Sequence, residues 1–264
     1  MAIVSLGEKQ ISYWIGKGGL ARERETVLFI HGAGGGKFVW SYQKRSFEKR
    51  FNTVIIELPG HGESGGEGEE EIERYAGHVY SFVTRLGLEK MFLVGHSMGG
   101  AIVLAMALSH PETIKGIILV GTGARLKVFP MILNGIRDHF EEAVCKMAPV
   151  AYSRTAPRDL VERGIRELMR CRPEVLYRDF MACDRFDVME EVEKIHLQAL
   201  ILCGEEDELT PVSYSEFLHR RIRGSRLEVL PRAGHMVMME SPDAFNQKAE
   251  TFILGRGAGE SGGS

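Results

Sequence analysis

The chain has 264 residues, 44% of them hydrophobic, which is enough to bury a sizeable core in one large domain or in a core with an inserted subdomain. Its net charge of −3 lacks the strong basic excess of a nucleic-acid binder. No apolar run approaches the roughly 20 residues of a membrane span, so no transmembrane segment is expected.

In chain order, residues 2–6 and 9–16 read as two strands of an opening hairpin joined by Gly7 and Glu8. The N-terminus has neither the basic start nor the long apolar stretch of a signal peptide, and a soluble, cytoplasmic protein is expected. Thr26-Val-Leu-Phe-Ile30 is a short β-branched run that reads as a central strand and leads into His31-Gly32-Ala33-Gly34-Gly35-Gly36. A helix over about 37–47 follows, then a strand from Thr53 to Glu57, the loop Leu58 to Gly66 and a helix from about Glu70 to Arg85. The glycine run fails as a phosphate site. The third position of G-x-G-x-x-G is Lys37, and a P-loop ending at Gly36-Lys37 would need glycine at His31 and serine or threonine at Phe38.

Met91-Phe-Leu-Val94 reads as a buried strand that breaks at Gly95-His96-Ser97-Met98-Gly99 and continues as a helix from Ala101 to Leu108. A serine on a sharp strand-to-helix turn needs glycine two positions to either side, where backbones approach too closely for a Cβ. Gly62-Glu-Ser64-Gly-Gly66 has the same spelling, but the acidic, glycine-rich stretch after it cannot pack as a helix. Ser97 is therefore the candidate nucleophile and Ser64 a loop residue.

Residues 116–120 are a further buried strand, and the alternation of strands and helices implies a mainly parallel sheet covered on both faces. The rhythm stops between about Arg125 and Glu193. That segment reads as three or four short helices punctuated by Pro130, Pro149, Pro157 and Pro173. Its apolar residues, among them Phe129, Met131, Ile132, Met147 and Phe180, suit either a small helical core or the wall of a pocket. Strands at 197–203 and 226–230 and helices at 211–222 and 242–254 complete the pattern. The glycine-rich tail from Gly255 to Ser264 has nothing to bury, and disorder is expected there. Cys145, Cys171, Cys183 and Cys203 show no paired spacing and read as free thiols, with no metal and no cofactor implied.

A serine hydroxyl needs a positioned base, and the base needs a partner that fixes its tautomer. Two strand ends supply them: Gly204-Glu-Glu-Asp207 and Pro231-Arg-Ala-Gly-His235. Asp207 competes with Glu205, Glu206 and Glu208, and its offset from the strand end favours it. The order Ser97, Asp207, His235 is the α/β-hydrolase order.

Over nearly its whole length the chain resembles the α/β-hydrolase superfamily, and within it small bacterial carboxylesterases and monoacylglycerol-lipase-like enzymes. The resemblance rests on His31-Gly32, Gly60-His-Gly-Glu-Ser64, Gly95-His-Ser-Met-Gly-Gly100, Gly204-x-x-Asp207 and Gly234-His235, five motifs in order. It implies an α/β fold with a mostly parallel eight-stranded sheet: a core domain of 1–124 and 194–254, with a helical cap of 125–193 inserted after the sixth strand. It also implies Ser97 as nucleophile, His235 as base, Asp207 as its orienting acid, and the backbone N–H groups of Ala33 and Met98 as the oxyanion hole. His31, His61 and His96 are expected to brace backbone rather than transfer protons. The expected partner is a small-molecule ester, with the oligomeric state, monomer or dimer, left open. The rival readings are a carbon–carbon bond hydrolase or enol-lactonase on the same scaffold, and a ligand receptor without catalysis. Dehalogenases and epoxide hydrolases place aspartate where Ser97 stands.

Overall fold

Eight strands form one sheet in the computed structural model, which describes residues 2–255. They are β1 (Ala2–Leu6), β2 (Lys9–Ile15), β3 (Thr26–Ile30), β4 (Asn52–Ile56), β5 (Met91–His96), β6 (Ile114–Val120), β7 (Gln198–Gly204) and β8 (Arg226–Leu230). Their spatial order is β1-β2-β4-β3-β5-β6-β7-β8. The opening hairpin is antiparallel, β2 meets β4 antiparallel, and every pairing from β4 to β8 is parallel.

The pleat sends alternate residues to opposite faces, and both faces are covered. Leu28, Ile30, Met91 and Leu93 pack into one core layer, whereas Val27, Phe29, Phe92 and Val94 pack into the other. On the first face lie α2 (Ile72–Leu86), α3 (Met98–Ser109) and α8 (Val212–Arg221); on the second lie α1 (Ser41–Phe47), α9 (Val237–Glu240) and α10 (Pro242–Ile253). The helix α2 shows why the sequence folds this way. Ile72, Tyr75, Ala76, Val79, Phe82 and Val83 fall on one stripe and are buried, and Gly87 ends the helix at a φ of 63°. In contrast, α3 has no polar face because it is enclosed on all sides; Met98 to Ala107 are all buried.

Four helices follow β6: α4 (Pro130–Asp138), α5 (Phe140–Met147), α6 (Arg158–Leu168) and α7 (Pro173–Arg185). They form the cap over the carboxyl ends of the strands. Of the apolar residues that sequence leaves undecided between core and pocket, the cap uses some for each. Ile136 packs in its own small core with Val144 and Leu176, Ile132, Met147, Leu168 and Phe180 line a cavity, and Met131 is 78% exposed.

The differences from the sequence reading are local. The helix expected over 37–47 is a 3-10 turn, Lys37–Trp40, followed by α1. The helix after Ser97 begins at Met98 rather than Ala101, because two glycines are tolerated where the backbone is crowded. The short α9 is unmarked by any periodic pattern. The expected disordered tail lies, from residue 256 on, outside the described residues. No helix among those described is long and apolar enough to cross a membrane.

Candidate active site

Ser97 sits between β5 and α3 with φ 53° and ψ −119°, a strained conformation for a residue with a side chain. Its flanking glycines permit the turn. A Cβ on Gly95 would lie 2.2 Å from the Gly99 carbonyl oxygen, and one on Gly99 would lie 2.4 Å from that of Ile30. The Ser97 N–H donates to the Val120 carbonyl (2.9 Å), and the Thr122 hydroxyl donates to the Ser97 carbonyl (2.8 Å). Strain is thus held from both sides.

Asp207 and His235 follow the ends of β7 and β8. Neighbouring parallel strands bring these two residues, 28 apart in sequence, to one edge. His235 Nδ1 lies 2.9 Å from Asp207 Oδ2. The other carboxylate oxygen accepts the backbone N–H groups of Leu209 (2.9 Å) and Thr210 (2.8 Å), and the Thr210 hydroxyl donates to Oδ2 (2.9 Å). Burial pushes the Asp207 carboxyl up, but His235 and the Thr210 hydrogen bonds outweigh it and hold it below the ordinary value. An ionised Asp207 fixes the proton of His235 on Nδ1 and leaves Nε2 as an acceptor. Two of the competing carboxylates are engaged elsewhere: Glu206 accepts the Arg154 N–H (3.0 Å), and Glu208 faces Arg154 at 3.9 Å.

Two further backbone donors adjoin Ser97: Met98 follows it in the chain, and Ala33 lines the same cavity. Met98 is the first residue of α3, so its N–H has no partner within the helix. Among the described residues, neither this N–H nor that of Ala33 has an acceptor. The Ala33 loop is braced on both sides: Gly35 N–H donates to the Gly32 carbonyl (3.0 Å), and Gly34 N–H to a carboxylate of the cap, Asp179 (2.8 Å).

The three motif-loop histidines hold backbone, with one addition. His31 takes the Leu58 N–H on Nε2 (3.0 Å) and donates from Nδ1 to the Gly32 carbonyl (2.8 Å); burial and the charge on His61 keep it neutral, well below its ordinary pKa. His96 donates from Nε2 to the His235 carbonyl (3.1 Å), and burial with the nearby His235 lowers its pKa to about 3. His61 contacts the Pro59 carbonyl (3.1 Å) and, beyond the expectation, the Asp179 carboxylate (2.7 Å).

Ser97 and His235 open onto a cavity of about 240 Å³ between core and cap, with Ala33 in its wall. Its walls are mainly apolar, with Phe38, Leu126, Ile132, Leu168 and Phe180 among them; Lys127 and Glu208 also border it. Two residues at the site carry no sequence signal. Glu240, on α9, accepts the N–H groups of Gly234 (3.0 Å) and Ser153 (2.8 Å), fastening the His235 loop to the cap. Asp179 is the other.

The sequence pattern of the alpha/beta hydrolase fold family matches residues 25–242. Among solved structures, one described as a thermophilic esterase is 35% identical, with a TM-score of 0.84, covering 96% of this chain and 97% of its own. A 2-hydroxy-6-oxo-6-phenylhexa-2,4-dienoate hydrolase of Comamonas testosteroni is 28% identical over 272 residues, covering 95% of each chain. A pimeloyl-[acyl-carrier protein] methyl ester esterase of Neisseria meningitidis is 26% identical over 245 residues, covering 88% of this chain and 77% of its own.

Proposed function

The chain belongs to the alpha/beta hydrolase fold family, and from that premise we propose that it is a serine esterase cleaving uncharged carboxylic esters with an aliphatic acyl group. The observation that carries the reading is the convergence of three elements on one apolar cavity. They are a strained serine, a histidine held by a buried carboxylate, and the Ala33 loop, whose Ala33 N–H has no acceptor among the described residues.

In the proposed reaction Ser97 Oγ attacks the ester carbonyl carbon while His235 Nε2 takes its proton. Asp207 stabilises the resulting imidazolium. Negative charge on the carbonyl oxygen is received by the Ala33 and Met98 N–H groups, the latter backed by the positive end of α3. Collapse of the intermediate breaks the bond to the alcohol oxygen, which leaves with the proton from His235. The acyl group remains on Ser97. Water then repeats the sequence: His235 takes its proton, hydroxide character attacks the acyl carbon, and Ser97 departs with the proton returned.

The apolar wall supports an aliphatic acyl group, since each methylene transferred from water gains about 0.8 kcal/mol. The test is a p-nitrophenyl ester series from acetate to palmitate. The value of kcat/KM rises by roughly fourfold per methylene until the cavity is filled, then falls. No turnover by folded protein across the series would overturn the ester reading. A carbon–carbon substrate, such as a dienoate of the kind the Comamonas relative is named for, or an enol-lactone would then take its place. Against that alternative stands the histidine before Ser97. Carbon–carbon hydrolases of this superfamily often have asparagine there.

A further inference from the structure

Asp179 lies in the middle of α7, in the cap, and its side chain is fully buried. A lone buried carboxylate is costly unless donors surround it. Here there are three, and none comes from the cap. The Gly34 N–H donates to Oδ2 (2.8 Å), His61 Nε2 donates to the same oxygen (2.7 Å), and the Tyr75 hydroxyl donates to Oδ1 (2.5 Å). They belong to the loop after β3, the loop after β4 and α2. His61 uses its other ring nitrogen on the Pro59 carbonyl, so both nitrogens donate and the ring is an imidazolium. Burial works against that charge, but the Asp179 carboxylate outweighs it and raises the His61 pKa.

The Gly34 bond gives this cluster a consequence for the site. Gly34 directly follows Ala33, whose N–H points at the developing oxyanion in the proposed reaction. Gly34 has a φ of 61°, and a Cβ there would stand 2.4 Å from Leu168 Cδ1 and 2.6 Å from Leu176 Cδ1. Both leucines belong to the cap. The peptide between Ala33 and Gly34 is therefore held by a charged acceptor and roofed by two cap side chains.

We propose that Asp179 is a positioning residue for the oxyanion hole, so that the cap is a fixed component of the catalytic centre rather than a cover that opens at every turnover. The inference rests on the serine-hydrolase reading above. If α7 withdrew, Gly34 would lose its acceptor and the Ala33 N–H its orientation. A hydrogen bond to a charged group is worth more than one between neutral groups, which makes the position of this loop depend on cap packing. Substrate access then runs past the rim residues Phe129 and Leu209, which line the cavity and are 73% and 44% exposed.

Replacing Asp179 by alanine removes the acceptor; replacing it by asparagine keeps a carbonyl oxygen for Gly34 while removing the charge. Asp179→Ala is expected to lose about 10- to 100-fold in kcat with KM within about threefold, the pattern of an interaction made in the transition state. Affinity for an alkyl boronic acid, which forms a tetrahedral adduct on serine, should fall by a similar factor, while affinity for a simple alkanol stays within about threefold. Asp179→Asn should recover most of kcat. Tyr75→Phe, which deletes a bond to the other carboxylate oxygen, should lower Tm and leave the split between boronic acid and alkanol unchanged. Equal losses for both ligands in Asp179→Ala, or unaltered kcat, would overturn the proposal. Should the alanine variant not fold, amide exchange in the wild type decides. A Gly34 N–H exchanging at the rate of an open loop would refute it, and one protected by about 100-fold or more would support it. Loss of all ester turnover in the wild type would instead refute the esterase reading and leave the Gly34 measurement standing.

Discussion

His96 makes the site sensitive to acid in a way that can be calculated. Its ring is buried, Nε2 donates to the His235 carbonyl, and Nδ1 has no hydrogen-bond partner among the described residues. Burial and His235 hold its pKa at about 3, against 6.5 when it is exposed in the unfolded chain. Below pH 6.5 the unfolded chain therefore binds a proton that the native protein refuses. Stability from this group is complete above 6.5 and lost as pH falls towards 3. By about pH 5 the loss is RT ln(1 + 10^1.5), or about 2 kcal/mol, and it levels off at about 5 kcal/mol below the folded pKa. His31 acts in the same direction. The variant His96→Gln removes the titration and keeps an amide N–H at the reach of Nε2 for the His235 carbonyl. Urea unfolding followed by tryptophan fluorescence, Trp14 and Trp40 both being buried, measures wild type and variant between about pH 8 and about pH 5. The carboxylates cancel in the comparison. The wild type should lose about 2 kcal/mol more than the variant over that interval. Parallel stability profiles would refute the reasoning.

Other perturbations follow from the same geometry. Asp207→Asn should lower kcat by about 10³- to 10⁴-fold with little change in KM, because His235 loses the partner that fixes its tautomer; steady-state kinetics check it. Gly99→Ala drives a Cβ to within 2.6 Å of two backbone oxygens, those of Ile30 and His31, and should leave little soluble folded protein on expression. Glu240→Ala removes the acceptor of two backbone N–H groups and should cost about 2–4 kcal/mol in urea unfolding, with Glu240→Gln recovering part of it.

The sheet and the positions of Ser97, Asp207 and His235 after its strand ends were legible because their signals are local. The elbow is five consecutive residues whose glycines are demanded by close backbone approach, and Asp207 and His235 each follow a strand within five residues of its end. Even Glu205, Glu206 and Glu208 could be set aside from the strand offset alone, and the structure turns Asp207 onto His235. The supporting residues were not legible. Asp179 is one aspartate on a helix of mixed polarity, and its partners lie 145, 118 and 104 residues away. No periodicity or spacing encodes a contact of that range; only the GHG loop containing His61 offered a hint. Glu240 is hidden for another reason. It lies on a four-residue helix too short to show a pattern, beside the buried Met238 and Met239. The acidic stretch from Glu63 to Glu73 is partly engaged: Glu69 pairs with Lys9 at 2.7 Å and with His78 at 2.8 Å.

The central claim, that Ser97 carries the acyl group, is tested most directly by acid-quenching turnover of a p-nitrophenyl ester and mapping the protein by mass spectrometry. The account predicts a mass increase equal to the acyl group on the peptide containing Ser97, absent from Ser97→Ala, which also loses ester turnover. Acylation at another residue, or undiminished hydrolysis by pure Ser97→Ala, would contradict it.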